Sequence, residues 1–344
     1  MRMMLALAAL TLMGSTALAQ SPKIAAEDLM VPHGADTQIY VRNKHPEGVT
    51  TFGPDKIAVF MHGATYPGTA FDLPLGGKSW MDYVAERGYD VYAIDLPGYG
   101  RSTRPASMNA PADQSEPFMR TPDAAKALGS VVDYVLKRRN AANLKLIGWS
   151  WGTAITALYT TENAAKVNRL TLYAPVWLRT TPSLVQVQGK LGGYRVVSRD
   201  AALARWMTGV PEAAKASLIP RGWFDQWADA TFATDPAGGG KTLRAPNGVV
   251  ADGLDYWGAS PPKPLWDPAK ITVPTLLVLA EWDHDTPPYM AQALYPLLVN
   301  APWKRHAMLS GGTHTIVMEK NRMLLLRTVQ QFLDETPPEP SATQ

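Results

Sequence analysis

The sequence predicts an α/β protein: a mostly parallel sheet flanked by helices, interrupted by an inserted, mainly helical cap. Three observations carry that reading. Apolar β-like runs alternate with helical patterns along most of the chain, as strand-helix-strand units require. The alternation stops between about residues 178 and 267, where tryptophans and prolines gather without a clear strand, and then resumes. At 344 residues, 46% of them hydrophobic and 18% charged, the chain has room for one large globular domain with such an insertion.

Taken in order, the first residues read as an export signal. Arg2 precedes an apolar core from Met3 to Met13, and Ala17-Leu18-Ala19 fits the small-x-small rule, so residues 1–19 are expected to be removed. The apolar stretch is shorter than the roughly 20 residues of a spanning helix. That predicts a mature protein free of the membrane, in the periplasm or secreted. The absence of cysteine removes disulfides and a lipidated anchor from consideration.

"KIAVFMHGA" (56–64) reads as a buried strand ending in a glycine turn, and "SWMDYVAERGY" as a short helix ending near Gly88. "YDVYAIDLPGYGRS" is a strand running into a Pro/Gly loop. Thr121 is the candidate N-cap of "TPDAAKALGSVVDYVLKRRN", with Pro122 in the first turn and basic residues at the end. "LKLIG", "TAITALYTT", "RLTLYAP" and "TLLVLA" continue the alternation. The expected division is a core of residues 20–177 and 268–336, a cap of 178–267, and a frayed tail of 337–344.

"GWSWG" places Ser150 between Gly148 and Gly152, at the joint of a strand and a helix. In that context G-x-S-x-G describes a turn too tight for side chains at the flanking positions, with the hydroxyl pushed above the sheet. The helix behind it turns its positive end toward a developing anion. A serine at neutral pH needs a base. His314, in "LSGGTHTIVMEKNR" between a strand-like run and the last helix, is the best of the six histidines. His306 reads as a packed strand residue, His33 and His45 as surface residues, and His62 as a structural hydrogen-bonding residue. The base needs a carboxylate partner, and "LLVLAEWDHDTPP" offers Asp283 and Asp285 evenly, with Glu281 behind them. The oxyanion donors are expected to be the amides of Trp151 and Ala64.

The order Ser150, acid near 283, His314, together with "HG", "DLPGYGRS" and "GWSWG", resembles the α/β-hydrolase superfamily over roughly residues 57 to 333. The resemblance implies an α/β-hydrolase fold, Ser150 as nucleophile, His314 as base, and Asp283 as acid by the G-x-x-D pattern, with Ala280 in the glycine's place. Ser150 separates the chain from epoxide hydrolases and haloalkane dehalogenases, which use aspartate there. "HGATYPG" departs from the "HGGPG" of proline iminopeptidases. The tryptophan-rich elbow together with "SWMDYVAERGYDVYAIDLPGYGRS" looks most like bacterial carboxylesterases of the monoalkyl phthalate hydrolase type. The implied activity is cleavage of a small-molecule carboxylic ester through an acyl-enzyme. An aminopeptidase or amidase, or a non-catalytic binder on the same fold, are the alternatives.

Tyr66, Trp149, Trp206, Trp223 and Trp227 are the candidate pocket residues, each weighed against a packing role. Arg205 and Arg221 read as solvated surface, with a substrate carboxylate as their alternative partner. No metal or cofactor is expected: no two histidines stand at ligand spacing, and "AGGGK" lacks the rest of a phosphate loop. A net charge of +3 without a basic run gives no nucleic-acid footprint.

Overall fold

The computed structural model describes residues 22–185 and 189–336. The expected export signal and the expected tail lie outside the described residues. Among the described residues there are ten strands: β1 (Ile24–His33), β2 (Thr37–Pro46), β3 (Ile57–Met61), β4 (Asp90–Ile94), β5 (Leu144–Trp149), β6 (Val167–Tyr173), β7 (Tyr194–Ser198), β8 (Thr242–Pro246), β9 (Thr275–Ala280) and β10 (Lys304–Leu309). Eight form one sheet in the order β1-β2-β4-β3-β5-β6-β9-β10. From β4 to β10 every neighbouring pair is parallel, while β1 and β2 add an antiparallel hairpin at one edge.

The helices are α1 (Thr69–Asp72), α2 (Trp80–Ala85), α3 (Thr121–Arg139), α4 (Trp151–Glu162), α5 (Arg199–Trp206), α6 (Glu212–Leu218), α7 (Trp223–Phe232), α8 (Gly248–Asp255), α9 (Pro288–Leu294) and α10 (Arg322–Asp334). The central strands β3, β4, β5 and β9 are buried at every residue, which explains why they read as continuous apolar runs rather than alternating ones. Two apolar clusters lie one on each side. Val131, Leu128 and Ile155 belong to the first; Phe60, Trp80 and Leu326 belong to the second.

Two expectations need correction. The cap is mainly helical, α5 to α8, but β7 and β8 pair antiparallel inside it. These five-residue strands meet across a long stretch of helices; β7 has no fully buried residue and β8 buries only Leu243, Ala245 and Pro246, so neither shows a continuous buried-strand run. Thr121 is not the N-cap of α3 either; Arg120 occupies that position without a side-chain cap. The acceptor comes from the cap: Asp252 of α8 takes both the Thr121 N–H and its hydroxyl at 2.6 Å. A helix start is thus satisfied by a carboxylate distant in sequence. Trp177 and Trp266 meet edge to face at 5.2 Å and pin the two ends of the insertion together.

Candidate active site

Because β3, β5, β9 and β10 run parallel, the loops that follow them leave the same edge of the sheet. Gly63 and Ala64 follow β3, Ser150 follows β5, Asp283 follows β9 and His314 follows β10. Ser150 has φ 58° and ψ −123°, strained for a residue with a Cβ. Its neighbours show why glycine is needed. A Cβ on Gly148 would stand 2.4 Å from the Gly152 carbonyl oxygen, and one on Gly152 would stand 2.5 Å from the Met61 oxygen. Replacing Gly148 with alanine is therefore expected to prevent folding, since backbone and not a flexible side chain blocks the methyl. Soluble expression and far-UV circular dichroism check this; a folded, stable variant would show the turn to be looser than described.

The strained serine is held by its own backbone. Ser150 N–H donates to the Tyr173 carbonyl at 2.9 Å, and the Ser150 carbonyl accepts from the Thr153 amide at 2.8 Å and the Thr153 hydroxyl at 2.5 Å. Trp151 is the first residue of α4, where amides have no carbonyl one turn behind them. Its side chain is core: the indole N–H donates to Thr121 Oγ1 at 2.8 Å.

The second candidate donor is oriented by His62. Leu96 N–H donates to His62 Nε2 at 3.1 Å, so the proton sits on Nδ1, which donates to the Gly63 carbonyl at 2.7 Å. Burial pushes the His62 imidazole down and keeps it neutral, consistent with a structural role. With the Gly63 oxygen tied back, planarity of the peptide turns the Ala64 N–H the opposite way. The Ala64 carbonyl is held in turn by Tyr99 Oη at 2.9 Å and Arg195 Nη2 at 2.7 Å.

Asp283 and His314 meet. His314 Nδ1 lies 2.8 Å from Asp283 Oδ2. Thr286 fixes that carboxylate, its N–H donating to Oδ1 at 2.7 Å and its hydroxyl to Oδ2 at 2.9 Å. The His314 carbonyl accepts from Tyr173 Oη at 2.6 Å and Trp149 Nε1 at 3.1 Å. Burial by itself would lower the His314 imidazole; the charges of Asp283 and Asp285, with the Asp283 hydrogen bond, outweigh it and leave His314 above the ordinary histidine range. Of the other acids, Glu281 is exposed and accepts from Gly311 N–H at 2.6 Å. Asp285 pairs with Arg205, Oδ1 to Nη2, at 2.5 Å. Burial would raise the Asp285 carboxyl, but Arg205 and its neighbours hold it below the usual range.

Ser150 and His314 face one pocket with Tyr66, Trp149, Trp206 and Trp227. Trp223 does not belong to it: the ring packs over Gly76 and beneath Arg322 on the outside of α7. Arg205 also departs from expectation, because its guanidinium is bound to Asp285 on the pocket wall and is not solvated surface. Arg221 is exposed. His306 is partly buried in β10, and burial lowers it, as a packed histidine should behave. His33 and His45 are half-buried rather than fully exposed; His33 Nδ1 lies 2.9 Å from Ser130 Oγ and His45 packs edge-on against Phe52. Tyr173, Thr286 and Glu319 were not singled out by the sequence. Only the threonines flanking His314 and the threonine three residues after Asp283 offered a signal, as hydroxyls crowded around candidate reactive groups.

Among the described residues no group of three or more His, Cys, Asp or Glu could hold a metal ion, and no helix is long and apolar enough to cross a membrane.

Among solved structures, a serine hydrolase involved in carbazole degradation superposes with a TM-score of 0.60 at 17% identity, covering 90% of this chain and 99% of that one. A putative lipase from Acinetobacter baumannii AYE gives a TM-score of 0.57 at 15% identity, covering 90% and 91%. An esterase from Exiguobacterium antarcticum gives 0.55 at 18% identity, covering 89% and 99%. These likenesses are of fold. No curated protein sequence matches. A family model described as the alpha/beta hydrolase family matches residues 58–322, well over half of the chain. Sheet order, the strained serine between obligatory glycines, and that match agree: the chain belongs to the alpha/beta hydrolase family.

Proposed function

We propose that the protein is an exported serine esterase that cleaves a small-molecule carboxylic ester through Ser150, His314 and Asp283. The observation that carries the proposal is the 2.8 Å contact of His314 Nδ1 with a buried carboxylate, on a histidine that shares a pocket with the elbow serine. With Nδ1 engaged, Nε2 is the nitrogen left to take the Ser150 proton. Ser150 Oγ attacks the ester carbonyl, and the developing oxyanion is met by the amides of Ala64 and Trp151. Imidazolium His314 gives its proton to the leaving alcohol. Water, deprotonated by His314, then attacks the acyl-enzyme; the C–Oγ bond breaks and the proton returns to Ser150.

An ester is preferred to an N-terminal peptide because Asp285, the pocket's carboxylate, is neutralised by Arg205, leaving no free anion among the described lining residues for a substrate ammonium. The aromatic wall suits an apolar group. The esterase and lipase neighbours lend support to the same substrate class. Export rests on Arg2, the apolar core and the Ala17-Leu18-Ala19 site. A panel of p-nitrophenyl esters beside proline anilides tests the reading: ester turnover with inert anilides supports it, and the reverse preference would overturn it.

The pH dependence has a fixed sign. His314 must be neutral to accept the proton, and its folded-state pKa is raised. Activity is expected to fall as pH drops, with a kcat/KM midpoint above the roughly 6.5 of an unperturbed histidine. A pH-rate profile with a chemically stable ester checks this; a midpoint well below that value would contradict the His314 environment described.

A further inference from the structure

Glu319 is buried completely, five residues after His314, and takes no part in the steps above. It gathers donors from two parts of the molecule. Its Oε2 accepts from Thr313 N–H at 3.0 Å. Its Oε1 accepts from the Thr313 hydroxyl, from the Thr315 hydroxyl at 3.1 Å, and from the indole N–H of Trp206 at 2.7 Å. Thr313 and Thr315 flank His314 on either side, and their hydroxyls lie 3.0 Å apart. Trp206 ends the cap helix α5 and forms part of the aromatic wall that faces Ser150.

We infer that Glu319 is a positioning residue: one buried carboxylate holds both shoulders of the His314 loop and ties that loop to the cap tryptophan that shapes the substrate pocket. The inference rests on the proposed roles of Ser150 and His314. A carboxylate is suited to the task because it accepts at both oxygens and donates at neither, matching a shell made of hydroxyls and N–H groups. Leaving such donors unpaired in the interior is costly, so the arrangement tolerates few alternatives. The histidine carbonyl is fixed from the other direction by Trp149 and Tyr173, and its Nδ1 by Asp283. Glu319 adds a restraint on the two flanking threonines, and of these groups it is the one bonded to the cap, through Trp206. Pocket wall and base are thereby assembled as one unit.

Glu319→Gln keeps the shape but presents an amide N–H₂ to one of the donors. Displacement of a base by about an ångström costs about 100-fold in rate. The variant is expected to lose about 10- to 100-fold in kcat on p-nitrophenyl butyrate, with KM within about twofold. Thr315→Val removes one hydroxyl at nearly constant volume and is expected to lose about 3- to 10-fold in kcat, again with little change in KM. Trp206→Phe should lower kcat less in the Glu319→Gln background than in the wild type, because the link is already broken. Assays run well below the melting temperature separate these effects from a purely structural role, which would lower the melting temperature and leave kcat alone. If Glu319→Gln does not fold, Thr315→Val carries the test. Unchanged kcat in the folded variants, with Ser150→Ala inactive, overturns the positioning role alone. Retained turnover in Ser150→Ala overturns the serine mechanism itself.

Discussion

Ser150→Ala is expected to lower ester turnover by about five to six orders of magnitude while leaving the fold intact. The size of the loss follows from the site working as a unit. His314 and Asp283 act through the Ser150 hydroxyl, so without that oxygen they have no nucleophile to activate, and only the two amides and substrate binding still assist attack by water. Binding survives, because the aromatic wall of Tyr66, Trp149, Trp206 and Trp227 is untouched. The variant keeps the backbone strain, since alanine retains the Cβ that makes a φ of 58° unfavourable. Steady-state kinetics on a p-nitrophenyl ester, with substrate binding followed by tryptophan fluorescence, measures both parts. A loss of tenfold or less would mean that the elbow serine is not the nucleophile.

Asp283→Asn is expected to lower kcat by about 10⁴-fold, and Asp285→Asn by about tenfold or less. The difference lies in what each carboxylate touches. Thr286 N–H donates to Asp283 Oδ1, which obliges an asparagine to place its oxygen there and its N–H₂ at the position now facing His314 Nδ1. An N–H₂ group there donates to Nδ1, so the ring proton moves to Nε2, and that nitrogen cannot accept from Ser150. Asp285 instead pairs with Arg205 and acts on His314 only through its charge. Its replacement leaves Arg205 without its partner, which affects stability and pocket shape more than proton transfer. Paired kinetics on the two variants decide between the acids, and the opposite ranking would reverse their roles.

The two acids also show how far the sequence could be read. The alternation of faces that identifies strand residues ends at Ala280, so the following turn carries no parity signal, and only family spacing separated Asp283 from Asp285. In the fold it is Asp283 that meets His314, 31 residues away. The elbow was legible because its constraints are local: glycine, serine, glycine, strand before, helix after. The parallel sheet was legible for a related reason, since strands buried on both faces leave continuous apolar runs. What escaped was long-range pairing. β7 and β8 find each other across the cap, Asp252 caps a helix more than a hundred residues earlier, and Arg205 meets Asp285 across the cleft. None of these leaves a pattern within any short window. Trp223 misled for the opposite reason: it stands four residues before Trp227 on α7, but at the start of that helix, where its ring packs over Gly76. Glu319 lay in plain view beside His314, and only the folded shell of threonines and the Trp206 indole gives it a purpose.

Everything proposed for this site depends on Ser150 being the atom that bonds to substrate. The most direct measurement is reaction of the purified protein with a fluorophosphonate, followed by peptide mass spectrometry. One phosphonyl group on the peptide that contains Ser150, absent in Ser150→Ala and formed concurrently with loss of esterase activity, is the predicted result. Full loss of activity with the adduct on another residue, or a folded enzyme that hydrolyses esters and never reacts at Ser150, would contradict it.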